Sequence, residues 1–452
     1  MAQEERNIFQ GLNEAQKAAV EALEGPTLII AGAGSGKTRV LTCRIANLVA
    51  HSVRPSRIMA LAFTKKAAGE MKERIAALVG EDKAKYIGMG TFHSVFVRFL
   101  RRYADLLGYP EQFTIYDKQD SQTAVKQCIK ELNLDDKIYK PGEVAARISK
   151  AKNNLVTAEA YMRSNEIRQE DLMSRKGNLC DVYTLYAKRC KISGAMDFDD
   201  ILLNTNILLR DHPDVLKSIQ DQFDYILVDE YQDTNYAQYL ILKKLSATKR
   251  NICVVGDDCQ SIYGFRGARI ENILTFQKDY PEASIFRLEK NYRSTENIVN
   301  AANSLIAKNE RRLNKQCFSD AGPGEKISVI NAFTEAEESF LVASSIADRI
   351  YRSKAAYKDF AILYKTNSQS RAMEEALRKR NFPYRIHAGF SFYDRAEVKD
   401  MLSYFRLVIN PLDNEAFRRI INVPARGIGA TTVSHLSAIS AAEGISMLDA
   451  VL

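Results

Sequence analysis

The sequence predicts an α/β protein built on a doubly wound parallel sheet, and two observations support this prediction. First, short β-branched runs are apolar on consecutive residues, as expected for strands that helices cover on both faces. They are TLIIAGAG, IMALAFT, YIGMGTF, YILVDE, NICVVGDD and SIFRLE. Second, helical periodicity follows the strands: after IMALAFT, the residues Ala67, Ala68, Met71, Ile75 and Leu78 recur at three- and four-residue steps. Alternating strands and helices are typical of this fold class.

Length and composition limit the class of protein. A chain of 452 residues favours two to four domains, and 46% hydrophobic with 27% charged residues is an ordinary globular composition. No uncharged apolar run approaches the roughly 18 residues of a membrane span, and MAQEERNIFQ lacks the apolar core of a signal peptide. Seven cysteines without a C-x-x-C pair indicate free thiols in a reducing, cytoplasmic setting, and favour neither a zinc site nor a disulfide framework. The net charge of +8 permits a polyanionic partner without requiring one.

The strand–helix pattern is interrupted between about residues 100 and 195. This segment is helical, has no clear strands and carries a net charge of about +5, so we predict a helical insertion. Strand patterns resume with YILVDE. After the loop DAGPGEKI a second α/β set is predicted from KISVINAF, FAILYKTN and YRIHAG, and the last part of the chain is helical.

The stretch LIIAGAGSGKTRVL predicts a phosphate-binding loop, because a strand, a glycine-rich turn and a helix follow one another in that order. Glycines let backbone N–H groups approach phosphate oxygens, and the helix N-terminus adds partial positive charge. Lys37 would reach the β- and γ-phosphates and Thr38 would ligate Mg²⁺. Ala31 occupies a position where the common pattern has Gly, and a merely flexible glycine-rich loop remains the alternative. The predicted loop contacts are Ala33, Gly34, Ser35, Gly36, Lys37 and Thr38.

A second acidic motif, FDYILVDEYQDTN, complements the loop. Tyr225–Val228 is predicted to be a buried strand that ends in two carboxylates. Asp229 would hold Mg²⁺ through its water shell, and Glu230 would orient and deprotonate an attacking water. Adjacent acids are common at strand ends, so this assignment depends on the phosphate loop upstream. Hydrolysis of a γ-phosphate is the predicted reaction.

Three further stretches begin where predicted strands end, on the same sheet edge as the nucleotide: AFTKKAAGEM, GTFHS and VVGDDCQSIYGFRGA. Exposed aromatic rings beside cationic side chains suit unpaired nucleic acid, because each stacked base contributes about 1–3 kcal/mol. For Phe63 and Phe265, burial in the core is the alternative interpretation.

Together these motifs resemble the UvrD/Rep/PcrA family of superfamily 1 helicases, over nearly the whole chain and in the family's order. LNEAQKAAV resembles its Q motif, AGAGSGKT motif I, FTKKAAGEM motif Ia and GTFHS the next DNA-side motif. ILVDEYQDTN resembles motif II, VVGDDCQSIYGFRGA motif III and LEKNYRST motif IV. The stretches FAILYKTNSQSRAMEEAL and GFSFYDRAEVKDMLSYFRLVINP are similar to the segments that follow.

The resemblance implies roles around the nucleotide. Gln16 would read the adenine, and Arg39 and Tyr292 would sandwich its ring. Gln260 and Arg293 would sense the γ-phosphate. Simple packing of Tyr292, and surface positions for Gln260 and Arg293, remain the alternatives. ATP and Mg²⁺ are the implied cofactors.

The resemblance also implies contacts with DNA. At position 265 the family often has Trp, so base stacking on Phe265 is expected to be weaker. Lys65 stands where Asn is usual. ARGIGATTV resembles a glycine hairpin that touches duplex backbone, although a plain turn between helices is an open alternative, and Asn367 could be a turn former. The implied contacts are Phe63, Thr64, Thr91, His93, Phe198, Tyr263, Phe265, Arg266, Asn367, Gly427 and Gly429.

The implied architecture has four parts. A first RecA-like motor domain spans 1–110 and 196–288, with the helical insertion at 111–195. The N-terminal part of a second RecA-like domain spans 289–387. Residues 388–452 form the incomplete first part of a helical accessory domain. No Thr-x-His-x-x-Lys-Gly-type or later Thr-Arg segment precedes Leu452. We therefore expect an N-terminal portion of a longer helicase that binds nucleotide, hydrolyses it poorly and does not unwind DNA.

The implied function is ATP-driven 3′–5′ movement on single-stranded DNA in repair or replication. Its partners would be single-stranded DNA, single-strand/duplex junctions and repair or replication proteins, with the protein a monomer or weak dimer and with no membrane contact. Two alternatives stay open: an ATP-gated single-strand binding module, and the motor part of a helicase–nuclease.

Overall fold

The computed structural model describes residues 8–387 and 392–451, and the chain divides into two compact units. The first unit comprises 8–324 and 400–451, and the second comprises 325–387 and 392–399. None of the helices in these ranges combines the length and the apolarity that crossing a bilayer would require.

The first unit is built on a parallel sheet whose order, among the described residues, is β3-β2-β6-β7-β1-β8. All six strands correspond to runs predicted from the sequence, which confirms the α/β fold class. Ile29 pairs with Val255 on one side and Phe286 on the other. The strands are β1 Thr27–Ala31, β2 Ile58–Ala62, β3 Gly88–Thr91, β6 Tyr225–Val228, β7 Ile252–Gly256 and β8 Ser284–Leu288.

Two hydrophobic cores cover the faces of this sheet, which explains why its strands are apolar on consecutive residues. Leu28 and Ile30 lie in one core, whereas Ile29 and Ala31 lie in the other. Successive strand residues point to opposite faces, so a strand between two helical layers needs apolar side chains throughout. The flanking helices are α1 Glu14–Glu21, α2 Lys37–Ala50, α3 Lys65–Val79, α4 Glu81–Ala84, α5 Phe92–Arg102, α11 Phe198–Asp211, α12 Pro213–Gln222, α13 Tyr236–Leu245, α14 Glu271–Leu274 and α15 Phe276–Asp279.

The predicted insertion is helical and has a core of its own, which includes Val125, Val144 and Tyr183. Its helices are α6 Lys118–Glu131, α7 Pro141–Asn153, α8 Ala158–Arg163, α9 Asn165–Met173 and α10 Leu179–Ile192. The expectation that it lacks strands is wrong, because β4 Thr114–Tyr116 pairs in parallel with β5 Ala195–Asp197 at its base. Three-residue strands are too short to produce a recognisable sequence pattern.

Residues 289–324 and 400–451 complete the first unit. Arg406 pairs with Asp120 of the insertion at 3.0 Å, and Asn410 Nδ2 donates to the carbonyls of Ser193 and Gly194, so the C-terminal helices pack on the insertion. The finer four-domain division remains a prediction. The remaining elements are β9 Lys290–Asn291, α16 Glu296–Ile306, β10 Phe318–Ser319, α19 Ala396–Ile409, α20 Asn414–Ile420 and α21 Ala430–Glu443.

The second unit contains α17 Glu335–Ser353 and α18 Ser370–Lys379, which pack through Ala343, Met373 and Leu377. The strands predicted from KISVINAF and FAILYKTN are wrong, since neither segment forms a strand. Residues 384–387 of YRIHAG form none either, and its last two residues lie outside the described range. A β-branched run gives only a preference, whereas a strand also needs a hydrogen-bonded neighbour. Val329 is accordingly 86% exposed.

Candidate functional site

The glycine-rich loop connects β1 to α2 and has the backbone shape that a phosphate cradle requires. Gly34 and Gly36 have φ values of 66° and 84°, in the left-handed region that favours glycine. A Cβ on Gly34 would lie 2.9 Å from Asn291 Oδ1. Gly36 caps α2 without any side-chain hydrogen bond to the first turn, so the first-turn N–H groups can bind an anion.

The carboxylates after β6 meet this loop, although they lie far from it in sequence. Lys37 Nζ is 2.8 Å from Glu230 Oε2 and 3.4 Å from Gln260 Oε1. Thr38 Oγ1 donates to Asp229 Oδ2 at 3.3 Å. The structure therefore brings together five residues predicted to act on the nucleotide.

Burial raises the pKa of Asp229 to about 6, and the neighbouring Glu230 carboxylate adds to the rise while Lys37 opposes it. A cation beside a buried carboxylate stabilises its charged form and so offsets the effect of burial on its pKa. The hydroxyl of Thr38 and the carboxylate of Asp229 are hard oxygen donors of the kind that Mg²⁺ prefers. The donor set thus fits the predicted metal.

Gln16 is only 2% exposed and holds the loop to α1. Its Nε2 donates to the carbonyl of Ser35 at 2.9 Å, and its Oε1 accepts from the N–H of Asn13 at 2.9 Å. Both ends of the amide are therefore engaged. Nε2 keeps a second N–H and Oε1 a second lone pair, and the adenine contact predicted for Gln16 stays a prediction.

Arg39, Tyr292 and Arg293 also lie around the loop. Arg39 Nη2 donates to the carbonyl of Gln10 at 2.6 Å. The N–H of Tyr292 donates to the carbonyl of Gly34 at 2.9 Å, and its ring is about half exposed. The side chain of Arg293 is exposed. Their predicted contacts with adenine and γ-phosphate stay predictions.

Two residues that sequence reasoning did not single out hold the site together. Gln232 Nε2 donates to Glu230 Oε2 at 2.8 Å, while its Oε1 accepts from the N–H of Asp257 at 3.0 Å, so it joins the loops after β6 and β7. Asn291 Nδ2 donates to the carbonyl of Ala33 at 2.7 Å. Both lie inside quoted motifs, but only the fold shows which atoms they contact.

Asp257, Asp258 and Cys259 place their potential ligand atoms close together, among the residues the structure describes. The ammonium group of Lys315 lies 2.8 Å from Asp257 Oδ1 and also pairs with Asp258. Burial alone would lower the pKa of Lys315, but these two carboxylates raise it well above its ordinary value. The cluster is therefore a buried ion pair that anchors the chain after α16.

The aromatic residues predicted to contact DNA lie on one surface. The ring of Tyr263 is 5.2 Å from that of Phe63 and 6.1 Å from that of Phe265. The Arg266 guanidinium lies 5.4 Å from both the Tyr263 and Phe265 rings. Phe265 is 80% exposed, which rules out the alternative that it belongs to the core.

A second aromatic pair faces the same cleft. The ring of His93 contacts that of Phe198 edge-on at 5.6 Å, and burial lowers the pKa of His93, which favours a neutral imidazole. The cleft has a volume of about 950 Å³, and α6 and α7 of the insertion form its other wall. We call this cleft the aromatic groove. It is lined by Phe63, His93, Phe198, Tyr263, Phe265 and Arg266.

The aromatic groove borders the nucleotide site through Glu230, Gln232 and Asp233. Asp233 lines the groove, and its carboxylate accepts a 3.3 Å hydrogen bond from Gln232, which also bonds Glu230. Burial raises the pKa of Asp233 to about 6, with the Glu230 carboxylate as a second cause. Nucleotide site and groove thus share a wall.

The remaining predicted contacts are placed as follows. Thr64 and Thr91 cap α3 and α5, each accepting a backbone N–H at the start of its helix. Asn367 lies in the second unit, exposed at the start of a 3₁₀ turn. Gly427 has a left-handed φ of 73° in the exposed loop before α21, and Gly429 caps that helix. The capping roles are structural, and contacts of these residues with DNA stay predictions.

Comparison with known proteins agrees with this geometry. Residues 12–281 match the model of the UvrD/REP helicase N-terminal domain, and 286–451 match that of the UvrD-like helicase C-terminal domain. Proteins named ATP-dependent DNA helicase PcrA from Leuconostoc citreum and Staphylococcus aureus are each 46% identical over 445 residues. These alignments cover 98% of this chain but only 59% and 60% of the relatives, so the chain spans about three-fifths of their length. The resemblance is confirmed: the chain belongs to the UvrD/REP helicase family.

Proposed function

We propose that this chain forms the ATP-binding and strand-binding part of an ATP-dependent DNA helicase that moves 3′–5′ on single-stranded DNA. The observation that carries the proposal is the wall shared by the nucleotide site and the aromatic groove, through Glu230, Gln232 and Asp233. The relatives are named ATP-dependent DNA helicases, which supports both the activity and the substrate. The polarity rests on family resemblance.

At the nucleotide site the ion pair between Lys37 and Glu230 would be exchanged. Lys37 would turn to the β- and γ-phosphates, where its charge is needed, and would release Glu230 to orient and deprotonate the attacking water. Gln260 Oε1 lies 3.4 Å from Lys37 Nζ, and its Nε2 donates to Asp257 Oδ2 at 2.7 Å. Gln260 would sense the γ-phosphate together with Arg293. Thr38 and Asp229 would hold Mg²⁺, which supplies charge neutralisation on the phosphates.

In the aromatic groove, exposed rings would stack on bases and Arg266 would meet the phosphate backbone. Bases in a duplex are already stacked and cannot cover these rings, so the groove favours an unpaired strand. Gly427 and Gly429 would contact duplex backbone at a single-strand/duplex junction. We place the activity in DNA repair or replication in the cytoplasm, with a monomer or weak dimer acting on DNA.

The test is binding of two fluorescent ligands to the purified chain: a labelled dT oligonucleotide and a Mg²⁺-bound ATP analogue. Lys37→Ala should abolish binding of the nucleotide and preserve binding of the oligonucleotide measured without nucleotide. Phe265→Ala should weaken binding of the oligonucleotide and preserve binding of the nucleotide. Tyr86→Ala is the control, because Tyr86 is 63% exposed but precedes β3, at the amino end of the sheet. Equal affinity for single-stranded and duplex DNA would contradict the proposal.

A further inference from the structure

Three consecutive residues at the C-terminal end of α7 and directly after it contact residues 197–200, Asn235 and Arg269, all outside the insertion. We call Lys152, Asn153 and Asn154 the α7 clasp. Lys152 is 1% exposed, and its Nζ lies 2.7 Å from Asp197 Oδ2 and 2.8 Å from Asp200 Oδ1. A buried ammonium without partners would be strongly destabilising, so this ion pair fixes the insertion to the start of α11.

Asn153 uses both ends of its amide between two segments. Its Nδ2 donates to Asp199 Oδ1 at 2.8 Å, and its Oδ1 accepts from Asn235 Nδ2. Asp199 directly follows the groove residue Phe198. Asn235 caps α13 and ends the segment that begins at Asp229, so one side chain joins the groove to the end of the nucleotide segment.

Asn154 makes the third contact. Its Oδ1 accepts a hydrogen bond from the guanidinium of Arg269, and the N–H of Arg269 donates to the carbonyl of Thr234 at 2.9 Å. Arg269 closes the loop that carries Tyr263, Phe265 and Arg266. The α7 clasp therefore contacts two segments at the same helix end. One is 229–235, which carries the carboxylates of the nucleotide site, and the other is 263–269, which carries the aromatic residues of the groove.

The segment between Glu230 and Asn235 is well suited to transmit a displacement. Glu230 has a left-handed φ of 51°, which a non-glycine residue rarely adopts, and Gln232 is bonded to its carboxylate. If Lys37 leaves Glu230 for a nucleotide, the Glu230 carboxylate loses one of the two side chains that hold it, Lys37 and Gln232. At the other end of the same segment, Asn235 Nδ2 donates a hydrogen bond to Asn153 Oδ1 of α7.

We propose that Asn153 is a positioning residue that couples nucleotide binding to strand binding by linking Asn235 to the Asp199–Phe198 wall of the aromatic groove. The inference rests on the proposed function and adds the route between its two sites. Coupling is a free energy shared by two binding equilibria, so each ligand must change the affinity for the other by the same factor.

The experiment measures that factor in the whole chain. The Kd of a labelled dT oligonucleotide is determined with and without a Mg²⁺-bound non-hydrolysable ATP analogue, and the ratio is checked by the reciprocal titration. Asn153→Ala should reduce the ratio at least threefold, and the nucleotide's own Kd should stay within twofold of wild type. Because Asn153 also lines the aromatic groove, the ratio is taken against the oligonucleotide Kd of the same variant without nucleotide. Asp199→Asn, which keeps an oxygen to accept from Asn153, should preserve the ratio. Asn165→Ala, an exposed asparagine on α9 of the same insertion, is the matched control.

The outcomes separate the two claims. A wild-type ratio of one would overturn the proposed function, and the inference with it. A wild-type ratio different from one that Asn153→Ala leaves unchanged would overturn the inference alone. Loss of both single-ligand affinities or of the folded state in Asn153→Ala, with Asp199→Asn equally impaired, would make the clasp purely structural and also overturn it.

Discussion

Replacing Asp229 by Asn should stabilise the nucleotide-free protein while removing its response to Mg²⁺–nucleotide. Burial, with the adjacent Glu230, raises the pKa of this carboxyl from 3.8 to about 6. The ionised form is therefore less stable in the folded protein than in the unfolded chain. The amide of Asn has nearly the same shape. Its oxygen can still accept from the N–H of Glu230, and its NH2 group can donate to Thr38 Oγ1, which now donates to Asp229.

The magnitude follows from linkage. At roughly 1.4 kcal/mol per pKa unit, the difference between 3.8 and about 6 lowers the free energy of unfolding by about 3 kcal/mol at pH 7. As pH falls through 6 the folded state takes up a proton before the unfolded state does, so this penalty shrinks and vanishes below 3.8. The gain from Asp229→Asn should be largest above pH 6 and near zero at pH 4.

Thermal and urea unfolding in EDTA, from pH 4 to pH 8, provide the assay. The variant should melt several degrees above wild type at pH 7.5, and Mg²⁺–nucleotide should raise the melting temperature of wild type only. Asp136→Asn, at an exposed position of the insertion, is the control and should change little. A gain that is absent at pH 7.5, or that does not depend on pH, would show that the buried charge of Asp229 does not destabilise the folded protein.

Three further outcomes concern the groove and the loop. Phe265→Trp should tighten binding of a dT oligonucleotide in anisotropy titrations because the larger ring stacks better, whereas Phe265→Ala should lose about 1–3 kcal/mol; equal affinities would contradict a stacking role. Arg266→Ala should reduce the slope of log Kd against log salt by about 0.7, and an unchanged slope would exclude a phosphate contact. Gly32→Ala should lower the melting temperature because the new Cβ would overlap Cys317 Sγ; Cys317→Ala in the same chain should restore it, and failure to do so would contradict the proposed overlap.

The central sheet and the nucleotide loop could be predicted because their causes are local in the sequence. Leu28 to Ala31 are apolar in succession because cores lie on both faces of β1, and that pattern is visible without a structure. The order of strand, glycines and Lys37 is equally local. The proximity of Asp229 to Thr38 followed from one rule, that parallel strands present their carboxyl ends at one sheet edge.

The features that the sequence did not predict depend on contacts between segments that are distant in the chain. Nothing near Asn153 indicates that it meets Asp199 and Asn235, and nothing near Gln16 indicates that both ends of its amide are already bonded. The strand prediction for KISVINAF failed for the same reason: Val329 has the side chain of a strand residue but no paired neighbour. The β-preference of a segment leads to a strand only when a neighbouring strand is available to pair with it.

Photo-crosslinking can show whether single-stranded DNA binds in the aromatic groove and whether the neighbouring nucleotide site changes that binding. A single-stranded oligonucleotide carrying 5-iodouracil is irradiated with the protein, with and without Mg²⁺–nucleotide, and adducts are located by mass spectrometry. We expect adducts on Phe63, Tyr263 or Phe265 whose yield changes with nucleotide. Adducts confined to residues outside the aromatic groove, or yields that do not respond to the nucleotide, would refute a strand-binding groove beside the nucleotide site.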